Sequence, residues 1–435
     1  MNNTKISLLD MDATKIACDI LKGKTTSEAV VRTYIAHIKK VNPSLNAMVE
    51  DRFHDALLEA KELDAHNPSK RKGKLYGVPI SVKEAYDVRG MKTTGGLINR
   101  HDIVAKHDAE VVAKLKKAGA IVLGKTNTPE LCFCQETENK LYGRTNNPWD
   151  ITRTSGGSSG GEGSLLAAGG VAAGIGSDIG GSIRFPAHFN GVVGFKPGND
   201  QVSAQGHFPP TTIPQQQRML GIGPMGKSVR DMRLLYNIIA KQPAPDRVIE
   251  DFHVHVLPPK TNYPLSPKTS NILSNITTFL HDAFGATPAI PPYFHESALL
   301  WQEIMSIDGA KTIQRIAFKN DRSQPLAAYI KERTFRTASV HKYLSWAITG
   351  ASFFKPSAKR RQKINAMLKQ GDKELVSYLQ KRLLIFPVYH TGALTHGNVY
   401  REIFSIKKTF FTIHALRCLC QCMGVTVINR SRRYR

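Results

Sequence analysis

Gly77-Val78-Pro79-Ile80-Ser81-Val82-Lys83-Glu84 is the stretch from which the fold is read. Residues 78–82 form a short apolar run with β-branched members, the pattern of a buried strand, and the run delivers a lysine at its end. Downstream, residues 108–117 put Val111, Val112 and Leu115 on one helical face, Gly119 turns the chain, and residues 120–123 read as a second strand. Upstream, residues 25–41 open on a capping box, Thr25 with Glu28, and gather Val31, Tyr34, Ile35 and Ile38 on one side of an amphipathic helix. Helix and strand alternate, which is the organisation of an α/β fold.

The chain has 435 residues, 41% of them hydrophobic, enough for one large core or two to three domains. No internal repeat or clean domain boundary is visible, so residues 1–435 are read as a single domain. Lys+Arg 60 against Asp+Glu 35 gives a net charge of +25, compatible with nucleic acid, an anionic membrane surface or an acidic partner. The cations fall in short clusters (residues 70–74, 359–363 and 430–435) with no RNA-binding or zinc-finger motif among them, so specific nucleic-acid recognition is not expected. Six cysteines in a chain this long do not make a disulfide framework, and a reducing compartment follows. Residues 1–12 lack a basic stretch followed by an apolar one, and no run of eighteen or more apolar residues occurs anywhere. The expected location is cytoplasmic, with peripheral contact to an anionic membrane as an option.

Between residues 155 and 197 the composition changes: glycine, serine and alanine dominate and charge nearly disappears. Two clusters stand out, Gly156-Gly157-Ser158-Ser159-Gly160-Gly161 and Ser177-Asp178-Ile179-Gly180-Gly181-Ser182-Ile183-Arg184-Phe185-Pro186. Glycine beside a serine permits backbone conformations closed to other residues and lets amide N–H groups approach a ligand, as an oxyanion hole requires. Taken singly, such clusters are more often flexible turns. Likewise a lone lysine after an apolar run is usually a surface residue with a buried stem.

Together the three elements resemble the amidase signature family: a Gly-Val-Pro-x-x-x-Lys segment, a Gly-Gly-Ser-Ser-Gly-Gly segment and an Asp-x-Gly-Gly-Ser-x-Arg-x-Pro segment, in that order, with the two serines separated by 182 − 158 = 24 positions. The resemblance runs from the helix at residues 25–41 to Gly221-Ile222-Gly223-Pro224-Met225, and more loosely to about Pro387. Gly161-Glu162-Gly163 and Arg184-Phe185-Pro186 look like the fatty-acid amide hydrolase branch, and residues 131–148 are similar to its type 2 members. The resemblance implies an α/β/α sandwich around a mixed, largely parallel-cored β-sheet. It also implies hydrolysis of carboxylic amides, those of fatty acids foremost, through an acyl-enzyme, with a small acyl amide as substrate and neither cofactor nor metal. Ser182 is the implied nucleophile, Ser158 the relay and Lys83 the base. The amides of Ile179, Gly180, Gly181 and Ser182 are the implied oxyanion donors, and Cys132 falls where the family lines its acyl pocket. Asp178 and Arg184 either orient the nucleophile loop or form a structural ion pair. A cis peptide is implied between Gly157 and Ser158. For Lys83 to act as a base its pKa must fall well below about 10.4 through burial.

Three other motifs compete. Residues 119–126 match G-x-x-x-x-G-K-[ST], but the four intervening residues are apolar and strand-like, where a phosphate cradle needs a loop. Ser158 and Ser159 both satisfy G-x-S-x-G; that elbow requires a strand immediately before it, whereas residues 149–155 read as polar and turn-like. His414 with Cys418, Cys420 and Cys422 lacks zinc-site spacing. The end of the chain, about residues 388–435, departs from the family and looks truncated or altered. A catalytically silent variant therefore stands beside the hydrolase, and the net charge of +25 also suits an amidotransferase A-type subunit working in a complex near transfer RNA.

Overall fold

A computed structural model describes residues 7–243, 245–258, 265–319, 324–404 and 427–430. The lysine strand lies third in a seven-stranded mixed sheet. Its strands are β1 (Met48–Asp51), β2 (Pro79–Lys83), β3 (Ile121–Thr126), β4 (Ala173–Asp178), β5 (Val193–Lys196), β6 (Gly221–Gly226) and β7 (Val427–Arg430), in the order β1-β3-β2-β4-β6-β5-β7. β3, β2 and β4 are mutually parallel and form the middle, while every outer pairing is antiparallel. All five residues of β2 and all six of β3 and β4 are buried, as expected of parallel strands covered on both faces.

Helices cover the sheet in two groups. One contains α2 (Ser27–Leu45), α3 (Phe53–Ala65) and α5 (Gly160–Ala167); the other contains α1 (Ala13–Leu21), α4 (Glu110–Lys117) and α7 (Val229–Ile239). α2 buries Val31, Tyr34, Ile35 and Ile38 on its predicted face. Its cap is Thr26 and not Thr25: the Thr26 hydroxyl accepts from the Ala29 N–H at 3.1 Å, the N-cap-to-N3 contact that satisfies an otherwise orphaned donor. The predicted second strand extends three residues further, to Thr126, because Gly124, Lys125 and Thr126 pair with both β1 and β2. A polar stretch read as a turn, residues 149–155, contains the strand Asp150–Thr154, paired with Asn146–Asn147 in a small hairpin and bridged at Arg153 to Thr395. Three of that strand's five side chains are exposed, which is why no apolar alternation announced it.

Four further helices, α8 (Ser297–Met305), α9 (Lys311–Ala317), α10 (Pro325–Phe335) and α11 (Lys342–Phe353), form a satellite layer and share two apolar clusters with neighbouring segments, Ile364 and Leu368 in one and Leu97 and Leu131 in the other. No helix of the described residues is long and apolar enough to cross a membrane.

Candidate active site

Parallel strands β2 and β4 lie in register, Val82 beside Ile175, so their carboxyl ends carry Lys83 and the pair Ser177-Asp178 to the same edge of the sheet. Open α/β sheets form their sites at that edge, because the strands stop there and loops take over. The two glycine-serine clusters are those loops: Ser158 precedes α5, and Ser182 lies between β4 and α6 (Arg184–Asn190). Each loop is bonded to the other. The Ser159 N–H donates to the Ser182 carbonyl at 3.1 Å, and the Ser159 hydroxyl to the Ser177 carbonyl at 3.4 Å. The Gly157–Ser158 peptide is cis, as the resemblance implied.

Lys83 is fully buried, and its Nζ lies 2.6 Å from Ser158 Oγ and 3.1 Å from Ser177 Oγ. Burial lowers its pKa, because an ammonium cannot be solvated there; Cys132, Asp178 and Glu162 act in the opposite direction. Asp178 closes the nucleophile loop on itself. Its carboxylate accepts from the N–H groups of Gly181 (2.8 Å) and Ile183 (3.0 Å), and from Arg184 Nε (3.0 Å) and Nη2 (2.8 Å). Burial alone would raise the Asp178 pKa, but the Arg184 charge and hydrogen bonds, with Lys196 beyond them, hold it well below the usual carboxylate range. The pair is thus both a buried ion pair and the device that shapes the loop.

Gly181 sits at φ +101°, where any Cβ is strained and would meet the Phe185 ring at 2.9 Å. Its N–H is committed to Asp178, so of the four amides expected as oxyanion donors, those of Ile179, Gly180 and Ser182 remain as candidates. Gly180 is pressed by Trp301 of α8, whose indole Nε1 donates to the Ile179 carbonyl at 2.9 Å.

A cavity opens over these groups, and Cys132, Ser158, Ser177, Ile179, Ser182 and His207 all line it. Its remaining wall is largely apolar, from residues around Pro209 to Ile213 and from Met305 to Ile313. Every sequence-predicted site residue therefore converges on one place, although Gly180, Gly181, Asp178, Arg184 and Lys83 support the cavity from behind. Sequence reasoning missed Glu162, Ser177, His207 and Trp301. Glu162 is buried, accepting from Ser81 Oγ at 2.6 Å and Thr126 Oγ1 at 2.9 Å, and burial raises its pKa to about 7. Both Glu162 and Ser177 stood inside the quoted motifs, whereas nothing in the sequence distinguished His207 or Trp301.

The rival motifs resolve differently. In the nucleotide-binding pattern, Lys125 is buried within β3, bonded to the Lys92 carbonyl and to Thr93 Oγ1 at 3.1 Å, with Glu84 at 3.8 Å, so it meets no phosphate. A strand does precede the Gly-x-Ser-x-Gly match, contrary to the sequence reading. It belongs to the peripheral hairpin, however, and Ser158 is bonded to a lysine. His414, Cys418, Cys420 and Cys422 lie outside the described residues.

Residues 29–278, more than half of the chain, match the profile of the Amidase family. Fatty-acid amide hydrolase 2-A of Danio rerio is 48% identical over 240 residues, covering 53% of this chain and 45% of that protein. Fatty-acid amide hydrolase 2 of Homo sapiens is 44% identical over 257 residues, covering 57% and 48% respectively. The chain spans about half the length of the curated relatives it matches. Among solved structures, a fatty acid amide hydrolase superposes with a TM-score of 0.80 at 22% identity, over 98% of this chain and 74% of that one, a likeness of fold.

Proposed function

Because the chain belongs to the Amidase family, we propose that it hydrolyses carboxylic amides through an acyl-enzyme, with Ser182 as nucleophile, Ser158 as relay and Lys83 as base. One observation carries this reading: a fully buried lysine amine 2.6 Å from Ser158 Oγ, behind a cavity that Ser182 also lines. An amide carbonyl is a poor electrophile, so attack requires a deprotonated hydroxyl, a stabilised oxyanion and a protonated leaving nitrogen. Neutral Lys83 takes the Ser158 proton as Ser158 takes that of Ser182. Ser182 Oγ bonds to the carbonyl carbon, and the same protons return through Ser158 to the departing amine. Water then repeats the sequence to release the acid. The amides of Ile179, Gly180 and Ser182 receive the oxyanion, each such donor lowering the barrier by about 3 kcal/mol.

Fatty-acid amides are the substrate class favoured by the relatives and by the largely apolar cavity wall. Exposed Leu326, Ile330, Phe335, Phe353 and Phe354 on and beside α10 and α11 support delivery from a lipid surface. That part of the wall comes from residues beyond 278 supports reading the chain as one catalytic domain.

The test is intact mass after a fluorophosphonate, with turnover of a long-chain acyl amide by the isolated protein. Wild type is expected to gain one adduct and Ser182→Ala none. An unlabelled, folded wild type points to a silent variant, and turnover only with a partner subunit points to an amidotransferase.

A further inference from the structure

Lys83 has a second neighbour besides Ser158. Its Nζ donates to Ser177 Oγ at 3.1 Å, and that hydroxyl lies 2.9 Å from Nε2 of His207. His207 is fastened to the chain just beyond the lysine: it forms an antiparallel bridge with Tyr86, the Asp87 N–H donates to the Gly206 carbonyl at 2.9 Å, and the Phe208 N–H to the Ala85 carbonyl at 2.7 Å. Its ring packs edge-on against Tyr86, with centroids 5.0 Å apart.

The directions in this row turn on which ring nitrogen carries the proton. Nδ1 of His207 is buried with no hydrogen-bond partner among the described residues, and the backbone group that acts on the ring is that of Pro209, which has a carbonyl but no N–H. The ring proton is assigned to Nδ1, because the nearby backbone offers a lone pair and no donor, and Nε2 is left as the acceptor for Ser177. Burial, with the Lys83 charge adding to it, lowers the imidazole pKa to about 3, so the ring is neutral at ordinary pH. Ser177 has a single O–H. Directed at Nε2, it leaves Ser177 Oγ able only to accept from Lys83.

We infer that His207 is a positioning residue which, by holding the Ser177 O–H, keeps the lone pair of neutral Lys83 turned toward Ser158. Without the imidazole, Ser177 is free to donate to Lys83 and compete with Ser158 for that lone pair. His207 forms and breaks no bond in the reaction; the proton moves from Ser182 to Ser158 and from Ser158 to Lys83. Of the ionisable groups around the row, Tyr86 directs its own hydroxyl to the Gly176 carbonyl at 2.8 Å and offers Ser177 a phenol oxygen, a weaker acceptor than a ring nitrogen. Cys132, Asp178 and Glu162 act on Lys83 itself.

The inference rests on the Ser-Ser-Lys reading. The measurement is the rate constant for fluorophosphonate labelling of Ser182, followed by intact mass across pH. His207→Phe is expected to label about tenfold more slowly, the worth of one hydrogen bond. His207→Gln keeps an acceptor and recovers most of the rate. Ser177→Ala slows labelling without a further loss when combined with His207→Phe, and the pH dependence shifts together in both. The inference is overturned if His207→Phe labels at the wild-type rate, if Gln is no better than Phe, or if the two losses multiply. Should His207→Phe not fold, Ser177→Ala is compared with Ser177→Ala/His207→Gln: equal rates are expected, and an added loss overturns the idea. An unlabelled wild type overturns the triad reading and this inference with it, whereas a labelled wild type with indifferent His207 variants overturns the inference alone.

Discussion

Replacing Asp178 by Asn isolates what the buried ion pair does. The carboxylate accepts from three backbone N–H groups, those of Gly181, Ile183 and Arg184, and from Nε and Nη2 of Arg184, and both side chains are almost wholly inaccessible to solvent. An asparagine keeps one acceptor but turns an NH2 toward donors, and it takes away the carboxylate charge that faces Arg184 in the core. Breaking such a pair by removing one member costs about 3–5 kcal/mol, set against a total stability of about 5–15 kcal/mol. Urea unfolding followed by intrinsic fluorescence should therefore show a midpoint lowered by about a fifth or more. Adding Arg184→Met should restore part of the loss, because an apolar residue carries no unmet charge. The pH dependence gives an independent check. Asp178 has a folded pKa below its ordinary 3.8, so its contribution is present above that value and fades as pH falls through the folded pKa; the Asn variant lacks this fall. Unfolding within about 1 kcal/mol of wild type, or a double variant no more stable than Asp178→Asn, would refute the argument that this pair is a buried, loop-shaping contact.

Other outcomes follow from the same geometry. Lys83→Met should abolish fluorophosphonate labelling without lowering the urea midpoint, since an apolar side chain removes the desolvation cost of the amine; a large loss of stability would mean Lys83 is a structural cation. Glu162→Gln removes a negative charge that favours protonated Lys83, so the acid limb of the labelling profile should move to lower pH. For stability, the Glu162 pKa is raised from 4.5 to about 7, so its contribution is full below 4.5 and is lost as pH rises through about 7, a decline the Gln variant should not show. Gly180→Ala sets a Cβ 2.9 Å from the Trp301 ring, and overpacking of about 1–3 kcal/mol should displace the loop and slow labelling at least several-fold; an unchanged rate would mean the loop position does not matter to the nucleophile.

How much was legible in the sequence varied with the kind of interaction involved. Lys83 announced itself because a strand buried on both faces must be apolar, so a lysine closing it is conspicuous. Ser158 and Ser182 announced themselves because loops of bare backbone need glycine, and glycine-serine clusters concentrate in one dimension what the fold uses in three. The Asp150–Thr154 strand stayed hidden because its mostly exposed side chains obey no burial period, and the cap of α2 was misplaced by one residue because adjacent threonines offer the same hydroxyl.

By itself the sequence determined the strand-lysine element, the serine loops and the α/β alternation, all properties of near neighbours along the chain. Only the tertiary structure decided that parallel β2 and β4 end side by side, that the Gly181 amide is bound by Asp178, and that His207 and Trp301 reach the serine loops from 25 and 119 positions beyond Ser182 (207 − 182 and 301 − 182). Those contacts join residues far apart in the chain, whose meeting depends on sheet order and on which helix packs where. A histidine or tryptophan carries no local periodicity that reports such a meeting.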